Sequence, residues 1–228
     1  MNITVHRGTH QIGGSAIEIS TESTRIILDF GNELSLDEKY IPIDLDIDGV
    51  TKSAPDCDGI VISHYHMDHL GQLTSALRDI PLYIGELSKE VALIGAEYQD
   101  KDLYLRLLGA NTFRGGEAFT IGDIRIRPLV IDHSAVDSYM FVIEADGKRI
   151  LYTGDFRLHG LRGHVLEKLI KTYIGDVDVL ITEGTSLSRN ANNSISEREV
   201  LDDISSYIQD GKYVFVICSS TNIDRIMG

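Results

Sequence analysis

Three imidazoles and a carboxylate fall within six residues, His64-Tyr65-His66-Met67-Asp68-His69. His64 and His66 are two apart, so in an extended segment their side chains lie on one side. Asp68 and His69 come where the chain turns out of a strand, and they can face a second point. Nitrogen and oxygen donors in this density suit Zn²⁺. Mn²⁺ accepts the same ligands. One histidine on an apolar face is more often structural than a ligand, but three with an aspartate directly after a buried strand form a metal-binding pattern.

One such run cannot close two metal sites, so further ligands must come from elsewhere in the chain. Three candidates sit just past other apolar strands. His133 occurs in Ile131-Asp132-His133-Ser134, Asp155 in Tyr152-Thr153-Gly154-Asp155-Phe156, and Asp29 in Leu28-Asp29-Phe30-Gly31. Each alone reads as a turn residue. Together they mark the ends of core strands, where loops place a site on a rigid scaffold.

The elements that must hold these residues follow from pattern. Short β-branched runs at 3–5, 16–19, 25–28 and 59–63 read as strands. Residues 70–77 have helical spacing of apolar positions, and 87–108 form a longer helical stretch that the charges at Asp100-Lys101-Asp102 can split. Strands are expected at 124–131, 139–143 and 149–152, with Asp146-Gly147 as a hairpin turn. Residues 161–173 read as helix and 177–182 as a buried strand. Ser196-Glu197-Arg198-Glu199 is a capping-box start for a helix through 208. Residues 212–217 read as a further strand, and 222–228 as the first turn of a helix. Runs of strands with helices outside predict a layered α/β sandwich rather than a doubly wound sheet.

Composition bounds the function. The 228 residues are 43% hydrophobic and 25% charged, with a formal charge of −14. That balance argues against a module that coats nucleic acid through a basic face. It leaves room for an enzyme that grips phosphate locally. No run approaches the roughly 20 apolar residues of a membrane helix. The N-terminus lacks an apolar signal core, so a cytoplasmic protein is expected. Cys57 and Cys218 read as two buried thiols rather than a disulfide. Asp37, Glu38, Asp44, Asp46 and Asp48 mark an acidic surface loop, structural or lid-forming. There is no internal repeat.

Asp29, the run from His64 to His69, His133 and Asp155 resemble, in order and spacing, the successive motifs of the metallo-β-lactamase superfamily. The resemblance covers the chain to about residue 183 and implies an αββα sandwich. It implies that His64, His66 and His133 bind one zinc, that Asp68 and His69 bind a second, and that Asp155 bridges them. Asp29 would accept hydrogen bonds behind the ligands. Two zinc ions would lower the pKa of a shared water, so that a bridging hydroxide exists near neutral pH. A net positive, open site favours a phosphodiester, and also serves lactones, thioesters and β-lactams. His6, His10 and His164 match no motif; His159, four residues after Asp155, is an outside candidate.

Further segments are similar to ribonuclease J-like proteins. These are Gly13-Gly14-Ser15-Ala16-Ile17-Glu18-Ile19 leading to Asp29-Phe30-Gly31, and Thr153-Gly154-Asp155-Phe156-Arg157. Thr182-Glu183-Gly184-Thr185 looks like the acidic motif that opens the β-CASP region of nucleic-acid-processing members. Glu183 would assist proton transfer there; its plain alternative is a strand-end carboxylate in a turn. Asp29, Asp68 and Glu183 are thus the carboxylates expected to serve catalysis. Ser219-Ser220-Thr221-Asn222 would be a phosphate cradle or a plain helix cap. The division expected is a metallo-β-lactamase-like domain at 1–185 and the start of a β-CASP-like domain at 186–228, cut from a longer protein. No histidine follows His164, so the family's later ligand to the second zinc is not in this stretch. The expected function is a two-zinc phosphodiesterase acting on RNA in the whole protein. A glyoxalase- or lactonase-type hydrolase, or a metal-bound part without activity, are the alternatives.

Overall fold

The computed structural model describes residues 1–34, 43–187, 195–209 and 213–227. Within them two sheets stack between helices. The first runs β1 (Asn2–Arg7), β2 (Ala16–Ser20), β3 (Arg25–Leu28), β4 (Gly59–Ile62), β5 (Leu82–Gly85) and β6 (Asn111–Phe113), in that spatial order. β1 to β3 pair antiparallel and β3 to β6 parallel. The second sheet holds β7 (Phe119–Ile121), β8 (Ile124–Ile131), β9 (Ser138–Ala145), β10 (Lys148–Tyr152) and β11 (Val179–Ile181), in the order β11-β10-β9-β8-β7. β11 is parallel to β10 and the other pairs are antiparallel.

Strand alternation builds the layers. In β3 and β4, Ile26, Leu28 and Val61 face the second sheet and meet Ile126, Phe141 and Tyr152. Ile27, Ile60 and Ile62 face outward onto Leu70, Leu73, Ala96, Leu103 and Leu107. Both faces of these strands are buried, which is why they read as continuous apolar runs. The outer face of the second sheet, with Ile131, Met140 and Leu151, is covered by Leu166, Leu169 and Ile174. The expected αββα sandwich is formed.

The helices over the first sheet are α1 (Met67–Leu70), α2 (Glu86–Gln99) and α3 (Lys101–Leu108). The break expected near Asp100 falls there, and Asp100 caps α3 by accepting from Leu103 N at 3.0 Å. Asp146 and Gly147 both take positive φ, 50° and 69°, as a two-residue hairpin turn of the primed type requires. Ser196 and Glu199 form the capping box of α5 (Glu197–Gln209).

Several expectations are corrected. Of residues 70–77, Leu70 closes α1 and the rest are turns, not a helix. Two of their amides bond to distant segments, Gln72 N to Phe30 O and Leu77 N to Val50 O, while Leu73 N and Ser75 N close local turns on Leu70 O and Gln72 O. The helix expected at 161–173 forms over 163–174, but as a 3₁₀ turn (Gly163–Val165), the single α turn α4 (Leu166–Leu169) and a π turn (Ile170–Ile174) in succession rather than one regular α-helix. Of the strand expected at 212–217, residues 213–217 are described and form no strand. Tyr213, Phe215 and Ile217 are almost wholly exposed, and no described strand lies beside them to complete a ladder. The last helix, α6 (Ile223–Met227), begins at the Asn222 cap. Cys57 and Cys218 are free, and half-buried rather than buried. The acidic loop lies partly outside the described residues. No described helix is long and apolar enough to cross a membrane.

Candidate metal centre

The site grows from strand ends. Leaving β3, Asp29 takes φ 56° and is fully buried. Leaving β4, Ser63 and His64 are buried, and the chain turns through His66 into α1. His133 follows β8, Asp155 follows β10 and Glu183 follows β11. The turn carrying the histidine run is stitched to two other segments by backbone bonds. Phe30 N donates to His69 O at 2.7 Å, Asn32 N to Met67 O at 2.9 Å, and Gly14 N to Asp68 O at 3.1 Å. A Cβ on Gly31 would stand 1.6 Å from Asp68 O, so only glycine fits there.

Six of the sequence-predicted residues converge. His64 Nε2 and His133 Nε2 each lie 3.2 Å from His66 Nδ1. Donors about 2.0–2.1 Å from one tetrahedral zinc stand roughly 3.3 Å apart, so the trio fits a single ion. His64, His69 and Asp155 form a second grouping of possible ligands. His69 Nε2 lies 3.3 Å from Asp155 Oδ1 and 3.7 Å from Asp68 Oδ2. Asp155 Oδ2 lies 3.9 Å from His133 Nε2, so this carboxylate faces both groupings. His159 is exposed and joins neither.

Asp29 stands behind the histidine cluster. It accepts from Ser63 N at 2.7 Å, Ser63 Oγ at 2.8 Å, His69 Nδ1 at 2.7 Å and the Tyr152 hydroxyl. Ser63 Oγ also lies 3.0 Å from His64 Nδ1. Ser63 and Tyr152 are supporting residues that sequence reasoning missed. The signal for Tyr152 was available, because a hydroxyl on a strand buried between sheets needs a partner.

Electrostatics divide the cluster. Burial, then the neighbouring imidazoles, hold His64 well below the ordinary histidine value. Burial likewise lowers His66, and pushes His133 down to about 4. These rings are neutral near pH 7, the form that binds metal. Burial also disfavours charge on His69, but Asp29 and Asp155 outweigh it and raise His69 well above its usual value. Asp155 is held low by His69 against burial.

Glu183 is half-buried and raised above the ordinary carboxylate value, by burial and, less, by the charge of Asp155, against the lowering effect of the Phe156 amide. It accepts from Phe156 N at 2.8 Å, so it pins the loop that carries Asp155. A carboxyl beside the cluster with a raised pKa is suited to proton transfer, but this contact also gives it a structural task.

A family model described as "Beta-lactamase superfamily domain" matches residues 42–199. The chain is 28% identical over 225 residues to an RNase J-like protein of Methanocaldococcus jannaschii, covering 92% of this chain and 49% of that one. It is 27% identical over 233 residues to ribonuclease J 2 of Streptococcus pyogenes, covering 96% and 41%. The chain thus spans about half, or less, of the length of these relatives. A crystal structure of an Enterococcus faecalis protein of unknown function superposes with a TM-score of 0.83 at 21% identity, over 99% of this chain and 61% of that one. That likeness concerns the fold. The chain belongs to the metallo-β-lactamase superfamily, and its relatives place it with the ribonuclease J-like members.

Proposed function

We propose that this chain is the metal-binding part of a two-zinc phosphodiesterase that acts on RNA, in the cytoplasm, as part of a longer protein. In this reading His64, His66 and His133 would hold one ion, Asp68 and His69 the second, and Asp155 would be shared between them. The observation that carries it is the meeting of three imidazoles with an Asp155 carboxylate that also faces His69. Bound zinc would supply Lewis acidity and an ionised water at neutral pH. The chain's own residues orient and protonate. Asp29 fixes the His69 ring through Nδ1, which leaves Nε2 to face the cluster. Glu183 is the group to hand a proton to the departing oxygen. The relatives' names, RNase J-like protein and ribonuclease J 2, favour RNA as the diester. Residues 1–185 are the catalytic domain in this reading, and 186–228 open a β-CASP-like region.

Elemental analysis combined with hydrolysis of bis(p-nitrophenyl) phosphate tests the proposal. Two equivalents of zinc and turnover lost on His64→Ala are expected from the full-length protein. Metal without turnover there would leave a metal-bound scaffold. Hydrolysis of lactones or thioesters in place of diesters would move the chain to the small-molecule hydrolases.

A further inference from the structure

Four charged side chains link the metal-bearing loops to the two C-terminal helices. Asp132, next to His133, is 2% exposed and accepts from Arg157 Nε at 2.7 Å. Arg157 lies two residues after Asp155. Its side chain is 9% exposed, and Nη1 donates to Glu197 Oε1 at 2.9 Å. Glu197 opens α5 and is 6% exposed. Its Oε2 accepts from Nε of Arg225, on α6, at 2.9 Å. Two guanidinium groups thus balance two carboxylates.

The backbone is folded around this row. Arg157 N donates to Asp132 O at 2.8 Å, and Glu197 N to His159 O at 2.9 Å. Arg162 N donates to the second Asp132 oxygen. A Cβ on Gly160 would stand 2.0 Å from Asp132 Oδ1 and 2.5 Å from Arg157 Nε. A second tie starts inside the histidine run. Tyr65 donates its hydroxyl to Thr221 O at 2.6 Å and accepts from Val136 N at 3.0 Å.

Each loop of the cluster's neutral trio, and the loop of Asp155, is therefore one to three residues from a contact in this system. Buried ion pairs tolerate little displacement, because a charge moved off its partner stays desolvated. An ion that fixes His133 and Asp155 fixes Asp132 and Arg157 with them, and so the seat of Glu197. Coupling of this kind is reciprocal. We propose that Arg157 is a positioning residue that couples the metal centre to α5 and α6, so that metal binding and docking of these two helices strengthen one another. This rests on the metal reading above.

The test follows amide hydrogen exchange of the 228-residue chain with and without Zn²⁺. Alongside it, Co²⁺ is titrated into wild type, Arg157→Lys, Glu197→Gln and Glu197→Ala, read by visible absorption. Zinc should slow exchange across residues 197–209 in wild type. Glu197→Ala should abolish that protection, weaken Co²⁺ binding by roughly tenfold, as loss of a partner behind the ligands does, and alter the cobalt bands. Arg157→Lys should alter the bands as well, because a lysine cannot serve both carboxylates in one plane. Glu197→Gln should keep part of the effect. A purely structural network would lower stability and leave the spectrum unchanged. Zinc bound with exchange of 197–209 unaltered overturns the coupling alone. So does a Glu197→Ala spectrum and affinity equal to wild type; if that variant does not fold, Glu197→Gln decides by the same readouts. Wild type that binds no metal overturns the coupling together with the proposed function.

Discussion

His64, His66 and His133 on one side, and His69 on the other, are all desolvated by the same sandwich and respond in opposite ways. The trio is shifted away from its charged form, because burial dominates: at His66 it outweighs Asp68 and Asp155, at His133 it outweighs Asp155, and at His64 the neighbouring rings add to it. His69 keeps its charge, because Asp29 and Asp155 grip both of its nitrogens. The trio is therefore open to a cation with no proton to release. The His69 side must exchange a proton for it, since metal competes with protons for a ligand. The division is set by carboxylate placement, since all four rings are largely removed from water.

The comparison breaks most visibly at Asp155, which faces both sides. Asp155→Ala should take bound zinc from two equivalents toward none, by elemental analysis. If only one ion is lost, the two halves are independent and the bridge is wrong. Asp29→Asn attacks one side alone. Asparagine tolerates the positive φ, so the fold remains accessible, but His69 loses the partner of its charge. Breaking a buried pair in this way costs about 3–5 kcal/mol, readable by urea unfolding with chelator present. A cost under about 1 kcal/mol, the level of an exposed pair, would mean that His69 is neutral in the folded chain.

Proton linkage sharpens the contrast. Unfolded histidines titrate near 6.5, and folded His133 near 4. As pH falls from about 6.5 to 4, the unfolded chain takes up a proton that the folded chain refuses. Metal-free stability should therefore fall across that window, by roughly 3 kcal/mol for His133 alone. His69 has the opposite sign. Its contribution is full below about pH 6.5 and is lost as pH rises through its raised folded value. Unfolding midpoints followed against pH should show both limbs in wild type, and Asp29→Asn should flatten the alkaline one. The smallest effect is expected at Ser63, which touches Asp29 and His64 together. Ser63→Ala should cost about 1 kcal/mol and weaken metal on both sides. A loss confined to one side would show that the serine serves only that side.

The sequence announced the cluster because its chemistry is local. A histidine run after an apolar strand is visible without knowing the fold, and so are Asp29, His133 and Asp155 as residues just past strands. The layers were visible for the same reason, through alternation in β8 and continuous apolar runs in β3 and β4. The supports were not. Tyr152 meets Asp29 across 123 positions, and Arg157 meets Glu197 across 40. Such pairings depend on how strands stack, which spacing does not encode. The failed helix at 70–77 has the same origin, since its Gln72 and Leu77 amides bond to Phe30 and Val50. Short strands such as β5, β6 and β7 carry too few residues for a period to show.

The close approach of Gly31 to Asp68 has a consequence for anyone who would move this centre to another scaffold. The histidine turn is shaped by residues 13–15 and 29–32 as much as by its own sequence. A graft of the six-residue run alone would carry His64, His66, Asp68 and His69 and leave behind both His133 and Asp155 and the mould that aims the run. The three segments form one portable part. A library randomised at position 31 and sorted for retained metal should return glycine, at a site whose side chain is a single hydrogen.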